Sequence, residues 1–80
     1  MHVEKALLPG VGTRYDFTTA AGRQVGVVAR RDGTTELVVY AEDDPEYVAE
    51  SVILQSEERA TLVELLMLPP DPTDLAQPRT

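Results

Sequence analysis

Three stretches in which polar and apolar residues alternate constrain the fold of this chain most. They are residues 13–19, 23–30 and 35–41, and each is rich in β-branched or aromatic residues. Successive side chains of a β-strand point to opposite faces, so a period of two is typical of strands with one buried face. The short links at 20–22 and 31–33 each end in glycine. The pattern predicts an antiparallel meander.

The length of each link fixes the pairing between the strands. In a three-residue hairpin loop the last residue takes a left-handed conformation, which favours Gly22 and Gly33 at those positions. Phe17 then lies opposite Val25, and Val25 lies opposite Val39. A two-residue turn at 32–33 would shift the second pair by one residue and swap its faces. The three-residue register puts one apolar set on a single face: Tyr15, Phe17, Val25, Val27, Leu37 and Val39.

The opposite face of the predicted sheet is mixed. On it Val28, Val38 and Tyr40 would cluster around Gly26, which has no side chain. A contiguous apolar cluster on an otherwise polar face is typical of a contact site, so these three residues are our candidate interaction surface. The alternative is that another element of the same chain partly covers them.

A turn precedes the first alternating stretch. Residues 3–8 are predicted to form an edge strand that ends at Pro9. Pro9 and Gly10 suit the central positions of a type II turn, and Gly12 suits a bulge or a close backbone approach. A phosphate-binding loop is the alternative, but the spacing lacks a third glycine and a following helix. We interpret the turn as a structural corner.

Four carboxylates lie in the five residues 42–46. Such a group could bind a hard cation, although it lacks the ligand spacing and glycine of an EF-hand loop. The alternative that we favour is local structure. Asp44 is placed as a helix N-cap before Pro45, so that 47–49 would form one helical turn.

The remaining pattern predicts one strand and one helix. Residues 51–55 are short, apolar and β-branched, and Ser56 is placed to cap a helix over 57–68. An apolar stripe on that helix would cover the sheet, with a groove for a partner helix as the alternative: Leu62, Val63, Leu65 and Leu66. We therefore predict a small α+β domain over residues 1–68, with four to five meander strands covered by one C-terminal helix. Residues 69–80, which contain four prolines, are predicted to form a linker or disordered tail.

Composition excludes several classes of function. The net charge of −7, from 14 acidic and 7 basic residues, opposes binding to nucleic acid or anionic lipid. There is no cysteine, and His2 is the only histidine, so neither a disulfide framework nor a zinc cage is expected. No apolar run reaches the length of a membrane span. No nucleophile has a base beside it, so we expect no enzyme activity, no catalytic or metal-binding residues and no cofactor.

The order of these features resembles a known family. Residues 8–12 (Leu-Pro-Gly-Val-Gly) are the most specific part, followed by Gly22, Gly33, Tyr40 and the 57–60 segment (Glu-Glu-Arg-Ala). Together they are similar to the N-terminal domain of the cytosolic regulatory subunit of bacterial potassium/proton antiporters of the Kht type. The structural signature of the resemblance comprises Leu8, Pro9, Gly10, Gly12, Gly22 and Gly33. In that family a second, nucleotide-binding domain follows; it is not among these 80 residues, so no nucleotide-binding residue is carried over.

The resemblance implies a non-catalytic regulatory domain that takes part in potassium transport. It would lie in the cytoplasm, at the inner face of the membrane, without inserting into the bilayer. Its expected partners are the integral membrane antiporter subunit and a second copy of itself as a homodimer, and it would relay the state of an attached ligand-binding domain. The alternative is a free-standing acidic protein-protein interaction module unrelated to transport.

Overall fold

The computed structural model describes residues 1–73 and consists of one antiparallel sheet followed by one helix. This confirms the predicted α+β class. The elements are β1 (Glu4–Leu8), β2 (Gly12–Thr18), β3 (Gln24–Arg30), β4 (Thr35–Tyr40), β5 (Val48–Leu54) and α1 (Ser56–Met67). The strands lie side by side in chain order, so the sheet is a meander whose edges are β1 and β5.

The predicted register between the central strands is confirmed. Phe17 lies opposite Val25, and Val25 lies opposite Val39. Both hairpin loops have three residues, and their last residues, Gly22 and Gly33, have φ angles of 85° and 91°. A φ in this range favours glycine, which explains why each link ends in that residue.

The connection between β4 and β5 differs from our prediction. Residues 47–49 do not form a helical turn. Tyr47 instead closes a turn by donating its N–H to the carbonyl of Asp44 at 3.0 Å. The strand begins at Val48, which pairs with Tyr40, and a bulge follows because Glu50 is the next residue in register, opposite Val39. Tertiary pairing with β4 thus extends β5 towards its N-terminus beyond the apolar run seen in the sequence.

The best-buried face of the sheet is the one that we predicted to be the mixed outer face. Val28, Val38 and Tyr40 form the buried cluster, and Leu8 packs against it. On the other face Tyr15 is exposed, and the apolar residues of the central strands are only half-buried. The prediction that this other face is the core covered by the helix was therefore wrong. The small size of Gly26 lets a large ring pack on the mixed face, as described below.

Helix α1 does not cover the sheet. It packs mainly against β5, and none of its residues is buried. Leu62 is half-buried, whereas Val63, Leu65 and Leu66 are exposed. The first turn is capped by the carboxylate of Glu58, which accepts a hydrogen bond of 2.8 Å from the N–H of Gln55. The N-cap is therefore Gln55, one residue before the predicted Ser56.

The predicted tail begins after the helix. Leu68 is the C-cap and has an extended backbone, as expected for a residue that is followed by proline. Residues 74–80 lie outside the described part of the chain, so the division into a domain at 1–68 and a linker at 69–80 stays a prediction.

Candidate interaction surface

The candidate surface of Val28, Val38 and Tyr40 is a cluster, as predicted, but it is not exposed. These three side chains have only 5–6% of their surface accessible. The pairing of Gly26 with Val38, on the same face, brings them together around the glycine. The three residues are therefore covered by other parts of the same chain, which is the alternative that the sequence left open. A role in binding a partner stays a prediction, and it would require the cluster to open.

A polar group completes the buried cluster. Asp16 on β2 lies directly opposite Gly26 on β3, and its side chain is 7% exposed. One carboxylate oxygen accepts a hydrogen bond of 3.1 Å from the hydroxyl of Tyr40. The other lies 2.9 Å from Nε of Arg14, an ion pair in which the N–H is not aligned for a hydrogen bond. A buried carboxylate is costly unless it is paired, so these two partners account for its position.

Gly26 makes room for this arrangement. A Cβ atom at this position would lie 3.1 Å from the ring and from the hydroxyl of Tyr40, and it would collide with the carboxylate of Asp16. The ring therefore passes over β3 and joins β4 to β2, two strands that are not neighbours. Burial, and next the hydrogen bond with Asp16, raise the pKa of Tyr40 above its ordinary value of 10.0. The phenol therefore serves as a neutral donor at physiological pH.

Arg23 lies just before β3, and its guanidinium reaches the backbone of β4. It donates a hydrogen bond of 3.2 Å from its guanidinium to the carbonyl of Tyr40. Its Nε is buried and has no partner among the described residues. Arg14 is the guanidinium group that borders the cluster, and it lines an adjoining groove with Gln24, Tyr40, Pro45 and Glu46.

The Leu-Pro-Gly-Val-Gly segment forms a corner, as interpreted from the sequence. The N–H of Val11 donates to the carbonyl of Leu8 at 2.9 Å, which closes a turn with Pro9 and Gly10 at its centre. Gly10 has a φ of 78°, as a type II turn requires at this position. At Gly12 a Cβ atom would collide with the backbone carbonyl of Ala29 on β3. Gly10 therefore serves a need of conformation alone, whereas Gly12, with a φ of 155°, serves both conformation and space.

The acidic segment 42–46 forms a turn. The carboxylate of Asp44 accepts a hydrogen bond of 3.1 Å from the N–H of Glu46, so this side chain has a local structural role. In the part of the chain that the structure describes, no three acidic or histidine side chains come together as a metal site.

A second apolar surface is exposed on α1, whose stripe the sequence analysis predicted mainly as cover for the sheet. It lies at the end of α1 and the residue that follows, and we call it the helix patch: Val63, Leu65, Leu66, Met67 and Leu68. These side chains are 55–80% exposed. A helix that is apolar on several sides is normally buried, so the patch points to a partner surface. The sequence did contain a signal for this surface: the apolar residues are spread around the helix and do not form a single stripe.

No helix within residues 1–73 has the length and apolar character that a bilayer span requires. The fold and its surfaces define a small meander domain with a closed polar cluster and an unpartnered apolar helix. The model of a protein family, described as the N-terminal domain of the K⁺/H⁺ antiporter subunit KhtT, matches residues 1–70. The chain belongs to this family, which confirms the resemblance drawn from residues 8–12. No match is found among curated proteins.

Proposed function

We propose that this chain is the non-catalytic regulatory domain of a potassium/proton antiporter and that it docks on the membrane subunit through the helix patch. The family supports an antiporter subunit. The observation that carries the docking step is the exposure of the patch, where Leu66 and Met67 are 75% and 80% exposed. Burial of such apolar side chains against a partner is favourable, because it removes them from water. The domain would then lie at the inner face of the membrane through its partner.

The regulatory step follows from where the patch lies. Helix α1 has little contact with the sheet beyond β5, so it can shift without opening the buried cluster. The chain segment that leaves α1 begins with Pro69 and Pro70, which stiffen the connection to whatever follows. A change in an attached domain would reach the helix patch through this segment. Regulation of this kind is a coupling free energy between two sites.

A co-purification experiment with a matched pair of variants tests the docking step. Leu66 is 75% exposed in the helix patch, and Leu7 is 73% exposed on β1. The chain carrying Leu66→Glu is expected to lose capture by the membrane subunit of a potassium/proton antiporter from the same organism, while the chain carrying Leu7→Glu is captured like the unchanged chain. Equal capture of both variants would reject the helix patch as the docking surface.

The regulatory role needs a separate measurement. We expect the rate of potassium-dependent proton transport by membrane vesicles that contain the antiporter subunit to change when the chain is added. Addition of the Leu66→Glu variant should leave this rate as it is without the chain. An equal transport rate with and without the chain would reject the regulatory role. Absence of capture by any antiporter would favour the free-standing interaction module instead.

A further inference from the structure

The corner between β1 and β2 and the loop between β3 and β4 lie side by side at one end of the sheet. The N–H of Arg31 in the loop donates to the carbonyl of Val11 in the corner at 2.8 Å, which links the two segments. Gly12 allows this approach, because a Cβ atom there would lie only 2.9 Å from Cα of Arg30. A glycine of the family signature thus brings the corner against the two arginines.

A groove between these two segments is lined by hydrogen-bond donors. The residues that line it are Gly10, Val11, Arg30, Arg31 and Asp32. Among the described residues, neither guanidinium group has a hydrogen-bond or ion-pair partner. The backbone N–H groups of Gly10 and Asp32 also have no acceptor within residues 1–73. The groove therefore contains two cations and two backbone donors that the fold itself does not use.

The negative charge of the chain does not prevent an anion from binding in this groove. The carboxylate of Asp32 already accepts hydrogen bonds from the N–H of Thr34 at 2.9 Å and from its hydroxyl at 2.6 Å. The acidic segment 42–46 lies at the other end of β4, which has six residues. That distance is about 20 Å, at about 3.3 Å per residue. It exceeds the Debye length of about 10 Å at about 0.1 M salt, so the repulsion is largely screened.

We propose that this groove binds a phosphate oxyanion. Guanidinium groups bind phosphate through charge-assisted hydrogen bonds, and free backbone N–H groups at turns supply further donors. The Leu-Pro-Gly-Val-Gly segment lacks the third glycine and the helix of a phosphate-binding loop, and Arg30 and Arg31 supply the positive charge in their place. A lipid headgroup and a soluble phosphate compound present the same oxygen atoms to these donors. The inference does not depend on the proposed transport function.

Titration of the full chain with inorganic phosphate at constant ionic strength, followed by amide NMR spectra, tests the site. We expect saturable shifts in the amide signals of Gly10, Val11 and Asp32. Arg31→Gln is expected to weaken binding about five- to tenfold, because it removes one of the two guanidinium groups. Arg59→Gln is the matched control, since Arg59 is an exposed residue of α1 and its loss changes the net charge equally. This variant should bind phosphate like the unchanged chain.

Three outcomes of this titration would overturn the proposal. The first is the absence of saturable shifts in the signals of the groove. The second is an equal loss of affinity in Arg31→Gln and Arg59→Gln, which would mean that only the net charge matters. The third is equal affinity for acetate, which would mean that the groove does not recognise phosphate. The amide spectra also show whether each variant is folded, so unfolding cannot be mistaken for loss of the site.

Vesicles distinguish the two sources of phosphate. If the chain sediments with phosphatidylglycerol vesicles and Arg31→Gln does not, the ligand is a lipid headgroup. If the chain binds inorganic phosphate but stays in solution, the ligand is a soluble phosphate compound, and both results support the site. Sedimentation of the chain and Arg31→Gln alike, without binding of inorganic phosphate, would overturn it. Because these measurements use the chain without any antiporter, their failure is distinguishable from failure of the docking experiment.

Discussion

The hydroxyl of Tyr40 on β4 donates a hydrogen bond to the carboxylate of Asp16 on β2, across the intervening strand and above Gly26. The contact joins residues 24 positions apart in the chain. It satisfies a buried carboxylate and places an aromatic ring in the centre of the best-buried face.

Removal of the Tyr40 hydroxyl should therefore destabilise the domain. Tyr40→Phe keeps the ring and deprives the Asp16 carboxylate of a donor, a loss of about 1.5–3 kcal/mol for a hydrogen bond to a charged group. Tyr47→Phe is the matched control, since Tyr47 is 67% exposed. Urea unfolding of the two variants measures the difference, and equal midpoints would contradict the role assigned to the hydroxyl.

Burial of Tyr40, and next its hydrogen bond with Asp16, should make the domain less stable at high pH. Since the pKa of Tyr40 is raised in the folded state above its ordinary value of 10.0, the folded protein holds this proton more tightly than the unfolded chain does. The contribution is complete below pH 10 and is lost as the pH rises through the higher folded-state pKa. Unfolding free energies measured at increasing pH should fall more steeply for the unchanged chain than for Tyr40→Phe. Parallel curves would show that Tyr40 does not cause the dependence.

The two glycines of the corner should respond differently to alanine. Gly10→Ala places a Cβ in open space, so only the positive φ opposes it, at a cost of about 1 kcal/mol. Gly12→Ala drives a Cβ into the carbonyl of Ala29, and the backbone must shift, for a loss of about 2–4 kcal/mol. Thermal unfolding of both variants checks the order. A larger loss at Gly10 would mean that the turn, and not the close approach, is the sensitive element.

Two valines allow the core and the helix patch to be compared by the same substitution. Val38 is 5% exposed and Val63 is 55% exposed, so the same truncation tests both environments. Val38→Ala should cost about 1.5–3 kcal/mol because it removes buried apolar surface. Val63→Ala should change the stability of the monomer by no more than about 0.5 kcal/mol. Denaturant unfolding at low protein concentration provides the comparison, and a large loss for Val63→Ala would mean that α1 packs on the sheet after all.

Pairing within the sheet could be predicted from the sequence because its causes are local. Gly22 and Gly33 specify three-residue loops, and loop length sets the register of the neighbouring strands, so Phe17 and Val25 were correctly placed opposite each other. The corner at Pro9 and Gly10 was predicted for the same reason. These features depend on the backbone conformation of a few neighbouring residues, and the residue types at those positions indicate that conformation well.

The helix patch was harder to predict. The stripe of Leu62 and its neighbours was interpreted as cover for the sheet, because an amphipathic helix normally packs on an apolar sheet face. In the structure α1 stays beside β5, which half-buries Leu62 and leaves the rest of the stripe exposed. Whether a helix folds back depends on the direction in which the chain leaves the last strand, and the sequence does not report that direction.

The sequence by itself determined the three central strands, their order, their register and the family signature, since these follow from periodicity and turn chemistry. Only the tertiary structure decided which face became the core. Both faces carry apolar residues, and alternation does not distinguish them. The choice depends on whether side chains from non-adjacent strands fill the same space, and here the gap above Gly26 admits the ring of Tyr40 and lets it reach Asp16.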